Sequence, residues 1–207
     1  MAAHEADNGT LQRILCTAKA EFLQKGYKSA SLRNIVKEAG VTTGAFYGYY
    51  KSKEELFDAL VREQYDAFMG MYRETQESFT HLSPEEQMAG MGVQSGECMQ
   101  RMMEYAYAHK DEFRLLLCAS EGTRYENMVH EMVEIEVDAT HAFANVMEGL
   151  GHPKYELDPT LEHILVSGLF SAFFEMIIHD VPRDKANEYL TELRTFYTAG
   201  WKEIMGL

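Results

Sequence analysis

The fold is decided by residues 31–56, which read Ser-Leu-Arg-Asn-Ile-Val-Lys-Glu-Ala-Gly-Val-Thr-Thr-Gly-Ala-Phe-Tyr-Gly-Tyr-Tyr-Lys-Ser-Lys-Glu-Glu-Leu. The apolar spacing predicts two short helices that meet at Gly40, with Ser31 capping the first and Thr42 the second. Glycine can adopt the left-handed backbone that a sharp turn requires. The second helix would then begin with Thr42, Thr43 and Gly44, which are small enough for close approach to bases and phosphates. Two such helices form the unit that inserts a helix into the major groove of DNA.

This stretch resembles the TetR/AcrR family of bacterial one-component transcriptional regulators, over roughly residues 10–57. The residues that match the family pattern are Ser31, Ile35, Ala39, Gly40, Val41, Thr42, Gly44, Phe46, Tyr47, Tyr49, Tyr50, Lys53 and Leu56. Three positions differ mildly from the family pattern: Val36 replaces the usual alanine, Thr42 replaces serine, and Tyr50 replaces phenylalanine. Gly48 is the odd one, because glycine inside a helix costs about 1 kcal/mol relative to alanine.

The charge of the chain is divided unevenly. Residues 1–53 contain eight Lys/Arg and four Asp/Glu, and residues 54–207 contain eleven and twenty-nine, which together give the net charge of −14. A basic head on an acidic body suits a protein that meets phosphates at one end only. We therefore expect a helix-turn-helix DNA-binding domain over residues 1–53 and a ligand-binding and dimerisation domain over residues 54–207.

The rest of the chain has the apolar spacing of helices, and no period-2 run indicates a strand. Ser52 and Glu55 form a capping box that opens a long fourth helix, and Thr123 with Glu126 is expected to cap the seventh. The prediction is an all-α fold of about nine helices, with a three-helix head and a helical body.

Cellular location is predicted from what the sequence lacks. Three cysteines without a paired spacing favour reduced thiols, and the amino terminus has no signal-peptide pattern. Polar residues interrupt the longest apolar stretch, residues 161–178, and argue against a membrane span. We expect a cytoplasmic protein without a membrane partner.

The last two helices predict a homodimer. The eighth is apolar around its whole circumference, which indicates burial on two sides. The ninth carries one apolar stripe, and paired helices from two subunits would form a four-helix interface, as the resembled family does. The residues expected there are Phe173, Ile177, Phe196, Tyr197 and Trp201. The alternative is that the eighth helix is an internal core helix only.

Roles on double-stranded DNA follow from chemistry together with the resemblance. Ser31, Thr42, Thr43 and Gly44 lie at the two helix starts, where the threonines can contact base edges. Tyr47, Tyr49 and Lys53 are expected to bind phosphates, and Arg33 a base or a phosphate. Phe46 and Tyr50 are expected to pack inside the head instead.

The body is expected to bind a small lipophilic effector, because it is rich in residues that line adaptable apolar pockets. The candidate ligand-binding residues are Met99, Met102, Met103, Glu136, Phe143, Phe170, Phe174 and Glu175. A buried carboxylate needs a partner, so Glu136 or Glu175 could bind a cationic effector. The alternatives are core packing for the apolar residues, and for the acids a pair with His179, Arg114 or Arg194.

A polar cluster of His130, Glu134, Asp138 and His141 shares the other face of the seventh helix. The spacing could hold a metal ion, but a solvated face is the plainer interpretation, and we assign neither a metal nor a cofactor. Catalytic motifs are absent, which argues against an enzyme. The resemblance implies a repressor that an effector releases from a palindromic operator. The alternative is a helical interaction protein that keeps the head but acts through a protein partner.

Overall fold

The computed structural model describes residues 2–207, with side chains from residue 9 onward. It contains ten α-helices, and no strand occurs within that range. They are α1 (Ala2–Ser29), α2 (Leu32–Glu38), α3 (Thr43–Tyr49), α4 (Lys53–Thr80), α5 (Pro84–Gly90), α6 (Val93–Ala108), α7 (Lys110–Cys118), α8 (Met128–Gly149), α9 (Pro159–Ile178) and α10 (Arg183–Met205). The all-α prediction is confirmed. The structure has one helix more than the nine expected, and Gly92, at φ 77°, lies in the turn that separates α5 from α6.

The helix ends follow the local chemistry of the sequence. Ser31 and Thr42 each cap their helix by accepting a backbone N–H three residues on, and Ser83 forms a capping box with Glu86. One expectation is wrong. Helix α8 begins at Met128, not at Thr123–Glu126, because the Thr123 hydroxyl donates to the carbonyl of Ser120 and closes a turn there.

The chain forms two compact units. The first contains the residues up to Asp66 together with His109–Glu126. Its core includes the fully buried side chains of Ile14, Phe22, Phe46, Phe57 and Phe113. Helix α7 belongs to this unit, held by Lys19 Nζ donating to Glu112 Oε1 over 2.5 Å and by the backbone N–H of Tyr27 donating to the carbonyl of Ala119 over 2.8 Å.

The second unit contains Ala67–Ala108 and Asn127–Leu207. Its core is built on α9, where seven side chains are buried, among them Phe173, Phe174 and Ile177. Phe173 and Phe174 pack on Phe68 of α4 with ring centroids 6.4 and 5.9 Å away. The further division into a DNA-binding domain ending at residue 53 and a ligand-binding domain concerns function and stays a prediction.

Helix α9 has the length and the composition of a membrane span, with a mean hydropathy of 1.6. Polarity alone therefore does not exclude it, contrary to the sequence argument. Its buried face is accounted for by the core of the second unit, as expected of the central helix of a folded domain.

Candidate nucleic-acid interface and ligand cavity

The start of α3 is presented to solvent. Gly40 has φ 65°, and the chain turns there so that the N–H of Val41 donates to the carbonyl of Val36 over 3.2 Å. The side chains of Thr42 and Thr43 are exposed, as is Gly44. Because Thr42 Oγ1 accepts the N–H of Ala45, Thr43 has the freer hydroxyl of the two threonines.

Apolar residues hold α3 in place from behind. Phe46 is fully buried and Tyr50 is nearly so, as expected for residues that pack inside the head. Tyr47 is 54 % exposed on the outer face of the same helix. The short helix is therefore anchored on one side and open on the other.

A buried acid that the sequence analysis missed fixes the start of α2. Glu21 accepts hydrogen bonds from the backbone N–H of Ser31 at 3.1 Å, from Asn34 Nδ2 at 2.8 Å and from Lys25 Nζ at 2.8 Å. The hydrogen bond from Lys25, followed by the one from Ser31, lowers the pKa of the Glu21 carboxyl. Its spacing from Ser31 carries no motif, so only the tertiary structure reveals the role.

The remaining candidate DNA residues of the head differ in exposure. Ser31 and Arg33 are exposed and Tyr49 is half-buried. The Ser31 hydroxyl accepts the N–H of Asn34 at 3.3 Å, so it caps α2. DNA contact by any of these side chains stays a prediction.

Lys53 has a different role from the one expected. Its Nζ donates to the carbonyls of Tyr27 at 2.6 Å, Ala30 at 3.1 Å and Lys28 at 3.3 Å, and it lies 4.5 Å from the centre of the Tyr27 ring. An ammonium has three donors, so this side chain is fully engaged in tying α4 to the end of α1. Burial lowers its pKa. The exposed Lys51 is the basic side chain free to meet a phosphate at this position.

The second unit contains a cavity of about 150 Å³ that is open to solvent. Its walls come from α4, α6, α8, α9 and α10, together with the α5–α6 turn. Six aromatic side chains contribute to the lining, namely Tyr72, Phe79, Phe143, Phe170, Tyr197 and Trp201. A concave site with polar groups set among apolar and aromatic side chains is typical of a site for a small organic ligand.

Glu136 supplies one polar group of that wall. Tyr72 donates to Glu136 Oε2 over 2.5 Å, and Gln76 Nε2 donates to the same oxygen over 2.6 Å. Burial raises the pKa of the Glu136 carboxyl, against the lowering effect of these two bonds. No basic side chain among the described residues pairs with it, so the alternative of an internal ion pair does not apply to Glu136.

Arg194 supplies the second polar group. Its guanidinium lies so close to Gly96 of α6 that a β-carbon there would be 1.7 Å from Nη2. The Nε–H is shielded from solvent and has no hydrogen-bond partner, the only such buried side-chain atom found in the described part of the chain. From the sequence, Arg194 was expected only as a partner for an acid.

The cavity brings together four of the predicted ligand residues, namely Met99, Glu136, Phe143 and Phe170. Met102, Met103 and Phe174 are buried in the core away from the lining, so packing is the better interpretation for them. Glu175 is corrected. This position of α9 faces solvent and not the core, so Glu175 is exposed. Its carboxylate lies 2.6 Å from His179 Nε2.

The predicted dimer residues are also divided. Phe173 and Ile177 are buried within the second unit, because they face its core, so they are unavailable to a partner. Tyr197 and Trp201 line the cavity, since they lie on the inner face of α10. Phe196 alone of the five is exposed, at 72 %, beside the exposed Tyr189 of the same helix. The exposed apolar residues of α9 are Leu161 and Ile164.

The predicted polar cluster on α8 does not converge. His141 Nε2 lies 2.8 Å from Glu162, a fully buried acid on α9 that also accepts from Tyr155 at 2.8 Å. His130 lies 4.0 Å from Glu134. Among the residues whose side chains are described, no three His, Cys, Asp or Glu form a metal-binding group.

Two short helices joined at a left-handed glycine, with the second helix exposed at its start, form a helix-turn-helix unit, the kind of unit that many DNA-binding proteins use. Residues 14–60 match the model for bacterial regulatory proteins of the tetR family. The chain is 47 % identical over 51 residues to the HTH-type transcriptional regulator AcrR of Shigella flexneri, covering 25 % of this chain and 24 % of that protein. It is 36 % identical over 63 residues to the transposon Tn10 TetC protein of Escherichia coli, covering 30 % and 32 %.

These alignments span about a third or less of the curated relatives' length. For the fold, Salmonella enterica GusR superimposes with a TM-score of 0.55 at 18 % identity, covering 96 % of each chain. Residues 14–60 are therefore similar to the DNA-binding domain of the TetR/AcrR family of transcriptional regulators. Members of this family are DNA-binding proteins, not enzymes, and typically form homodimers that respond to small molecules.

Proposed function

We propose that this protein is a homodimeric repressor that binds a palindromic operator through α3 and leaves it when a small lipophilic effector occupies the cavity. The observation that carries the proposal is the exposed start of α3, with Thr43 and Tyr47 open to solvent and Phe46 buried behind them. A threonine can reach base edges or a thymine methyl, and a tyrosine hydroxyl can reach a phosphate. Such a repressor works in the cytoplasm, where the chromosome is.

The exposed apolar residues of α9 and α10 support the homodimer. Phe196, Tyr189 and Ile164 are large side chains left in solvent at 72 %, 46 % and 58 % exposure. A symmetric pair of chains would bury such a patch, and paired half-sites about 34–36 Å apart would give specificity that one short helix lacks. We expect Phe196→Glu to turn a dimer into a monomer in light scattering and to abolish operator binding, with Glu192→Gln, another exposed position of α10, as control.

The effector proposal rests on the cavity. Tyr72, Gln76 and Phe79 of its wall belong to α4, the helix that begins at Lys53 in the head. A ligand that favours one position of α4 can change operator affinity only through its different affinity for the two states. A positive charge on the effector is not proposed, because Glu175 lies outside the cavity and the Glu136 carboxyl already has two donors.

Operator selection tests the function directly. Purified protein is incubated with a random duplex pool, and bound sequences are enriched, then confirmed by footprinting at two salt concentrations. We expect a palindrome, with Thr43→Ala weakening it about 5- to 100-fold, the value of one good base contact. Enrichment of no sequence above random duplex would remove the proposal and leave a helical interaction protein as the better description.

A further inference from the structure

The cavity contains an arginine whose hydrogen-bonding capacity the protein does not use. Arg194 Nε–H is buried without an acceptor, although leaving a buried donor unpaired is costly. No carboxylate among the described residues pairs with this guanidinium, and Glu136 in the same wall is bonded to Tyr72 and Gln76 instead. A donor that a folded protein leaves unpaired beside an open cavity is a donor for something that enters it.

The Arg194 guanidinium has room only because residue 96 is a glycine. A β-carbon at Gly96 would lie 1.7 Å from Nη2, 2.0 Å from Cζ and 2.3 Å from Nε, so the guanidinium occupies the space that any other side chain would fill. Glycine in the middle of α6 weakens that helix, and nothing about its backbone requires it, since its φ is not in the left-handed region. Gly96 therefore serves to admit the guanidinium.

The chemistry of the ligand follows from these two observations. Arginine presents a planar fork of N–H donors that matches the two oxygens of a carboxylate. The same wall carries aromatic rings, among them those of Phe143, Phe170 and Trp201. We infer that the effector of the proposed repressor is an amphipathic carboxylate, whose anionic group binds Arg194 and whose apolar body lies among these rings. The inference rests on the proposed effector site.

The test uses three probes of one shape that differ in charge: 4-phenylbutyrate, its neutral amide and 4-phenylbutylamine. Trp201 is the single tryptophan of the chain and lines the cavity, so its emission reports binding there. We expect the carboxylate to bind at least about 10-fold more tightly than the amide or the amine, because a charge-assisted pair is added. Equal affinity for all three probes, or preference for the amine, would overturn the inference.

Two variants locate the effect. Arg194→Gln should weaken 4-phenylbutyrate about 10- to 100-fold and leave the amide nearly unchanged, because only the charged fork is lost. Gly96→Ala should also weaken 4-phenylbutyrate and leave the amide nearly unchanged, because the added β-carbon displaces the guanidinium. The loss would not come from a weaker α6, since alanine favours a helix more than glycine does. Gly70→Ala, a helical glycine with nothing within 4 Å of the added carbon, and Arg183→Gln on the exposed start of α10 are the matched controls and should bind as the wild type.

The same preparations are assayed on the selected operator without any probe, which separates this inference from the proposed function. Wild-type operator binding with no carboxylate preference at Trp201 would refute the inference alone. Loss of carboxylate preference in Arg194→Gln and Gly96→Ala, with operator binding retained, would support it and show that both variants are folded. A carboxylate affinity that survives both substitutions would overturn it.

Discussion

The head and the cavity differ in whether their buried polar groups have hydrogen-bond partners within the protein. In the head, Glu21 has three donors and Lys53 has three acceptors, all supplied by the same unit. In the cavity, Arg194 Nε has no acceptor at all. For the proposed DNA-binding role, a head whose buried groups are all paired holds the exposed side chains of α3 in fixed positions. A site that takes up a small molecule keeps part of its bonding capacity for the ligand.

The largest expected effect comes from removing one polar group from each region. Glu21→Ala should lower the free energy of unfolding by about 2–3 kcal/mol, because the N–H of Ser31, the Asn34 amide and Lys25 all lose their acceptor. Arg194→Met should leave stability unchanged within about 0.5 kcal/mol or raise it, because it removes an unpaired donor. Urea unfolding of both variants checks the contrast, and equal losses would break it.

Two neighbouring lysines of the head sharpen the comparison next. Lys53→Gln should cost about 1–2 kcal/mol of stability, a value reduced for its partial exposure, because three carbonyls lose one ammonium. Lys51→Gln should cost nothing measurable, but should make the slope of log affinity against log salt shallower by about 0.9 if this lysine binds one phosphate. Unfolding and operator titrations over a salt series give the two readouts. A change of salt slope in Lys53→Gln at full stability would restore the phosphate role expected from the sequence.

The same contrast explains how far the sequence could be read. The caps at Ser31 and Thr42, the turn at Gly40 and the burial of Phe46 are local, because each depends on residues within a few positions. Lys53 was assigned to phosphate because its partners lie in and just after α1, 23–26 residues earlier, which no spacing reveals.

The cavity depends on five helices and could be predicted only in kind. Helical spacing placed Glu136 among apolar residues, but it could not show that Tyr72 and Gln76 of α4 would be its donors. It also could not separate the buried side of α9 from its exposed side, because the apolar residues of that helix surround it. Phe173 and Ile177 were assigned to the dimer for that reason, and Arg194 was recognised only through its contact with Gly96.

Two glycines of the head test the backbone part of the comparison. Gly40→Ala should destabilise the protein by about 1–2 kcal/mol, because φ 65° is unfavourable for any residue with a β-carbon. Gly48→Ala, inside α3 with open space around the added carbon, should stabilise it by up to about 1 kcal/mol. Thermal unfolding distinguishes the signs. A stable Gly48→Ala variant with weakened operator binding would show that DNA approaches the backbone of α3 closely at that residue.

The smallest effect is a difference in pH dependence between Glu21 and Glu136. The pKa of Glu21 is lowered from its usual 4.5, so the stability it contributes is present above that value and is lost as the pH falls through the folded pKa. The pKa of Glu136 is raised from 4.5 by burial, so its contribution is full below 4.5 and is lost as the pH rises through the folded pKa. Near neutral pH, Glu21→Gln should therefore unfold at lower temperature than the wild type and Glu136→Gln at equal or higher temperature. In acid, below the folded pKa of Glu21, both differences should shrink. A Glu136→Gln variant that unfolds below the wild type at neutral pH, but at the same temperature as the wild type in acid, would contradict this expectation. It would mean that the cavity wall stabilises the carboxylate form of Glu136.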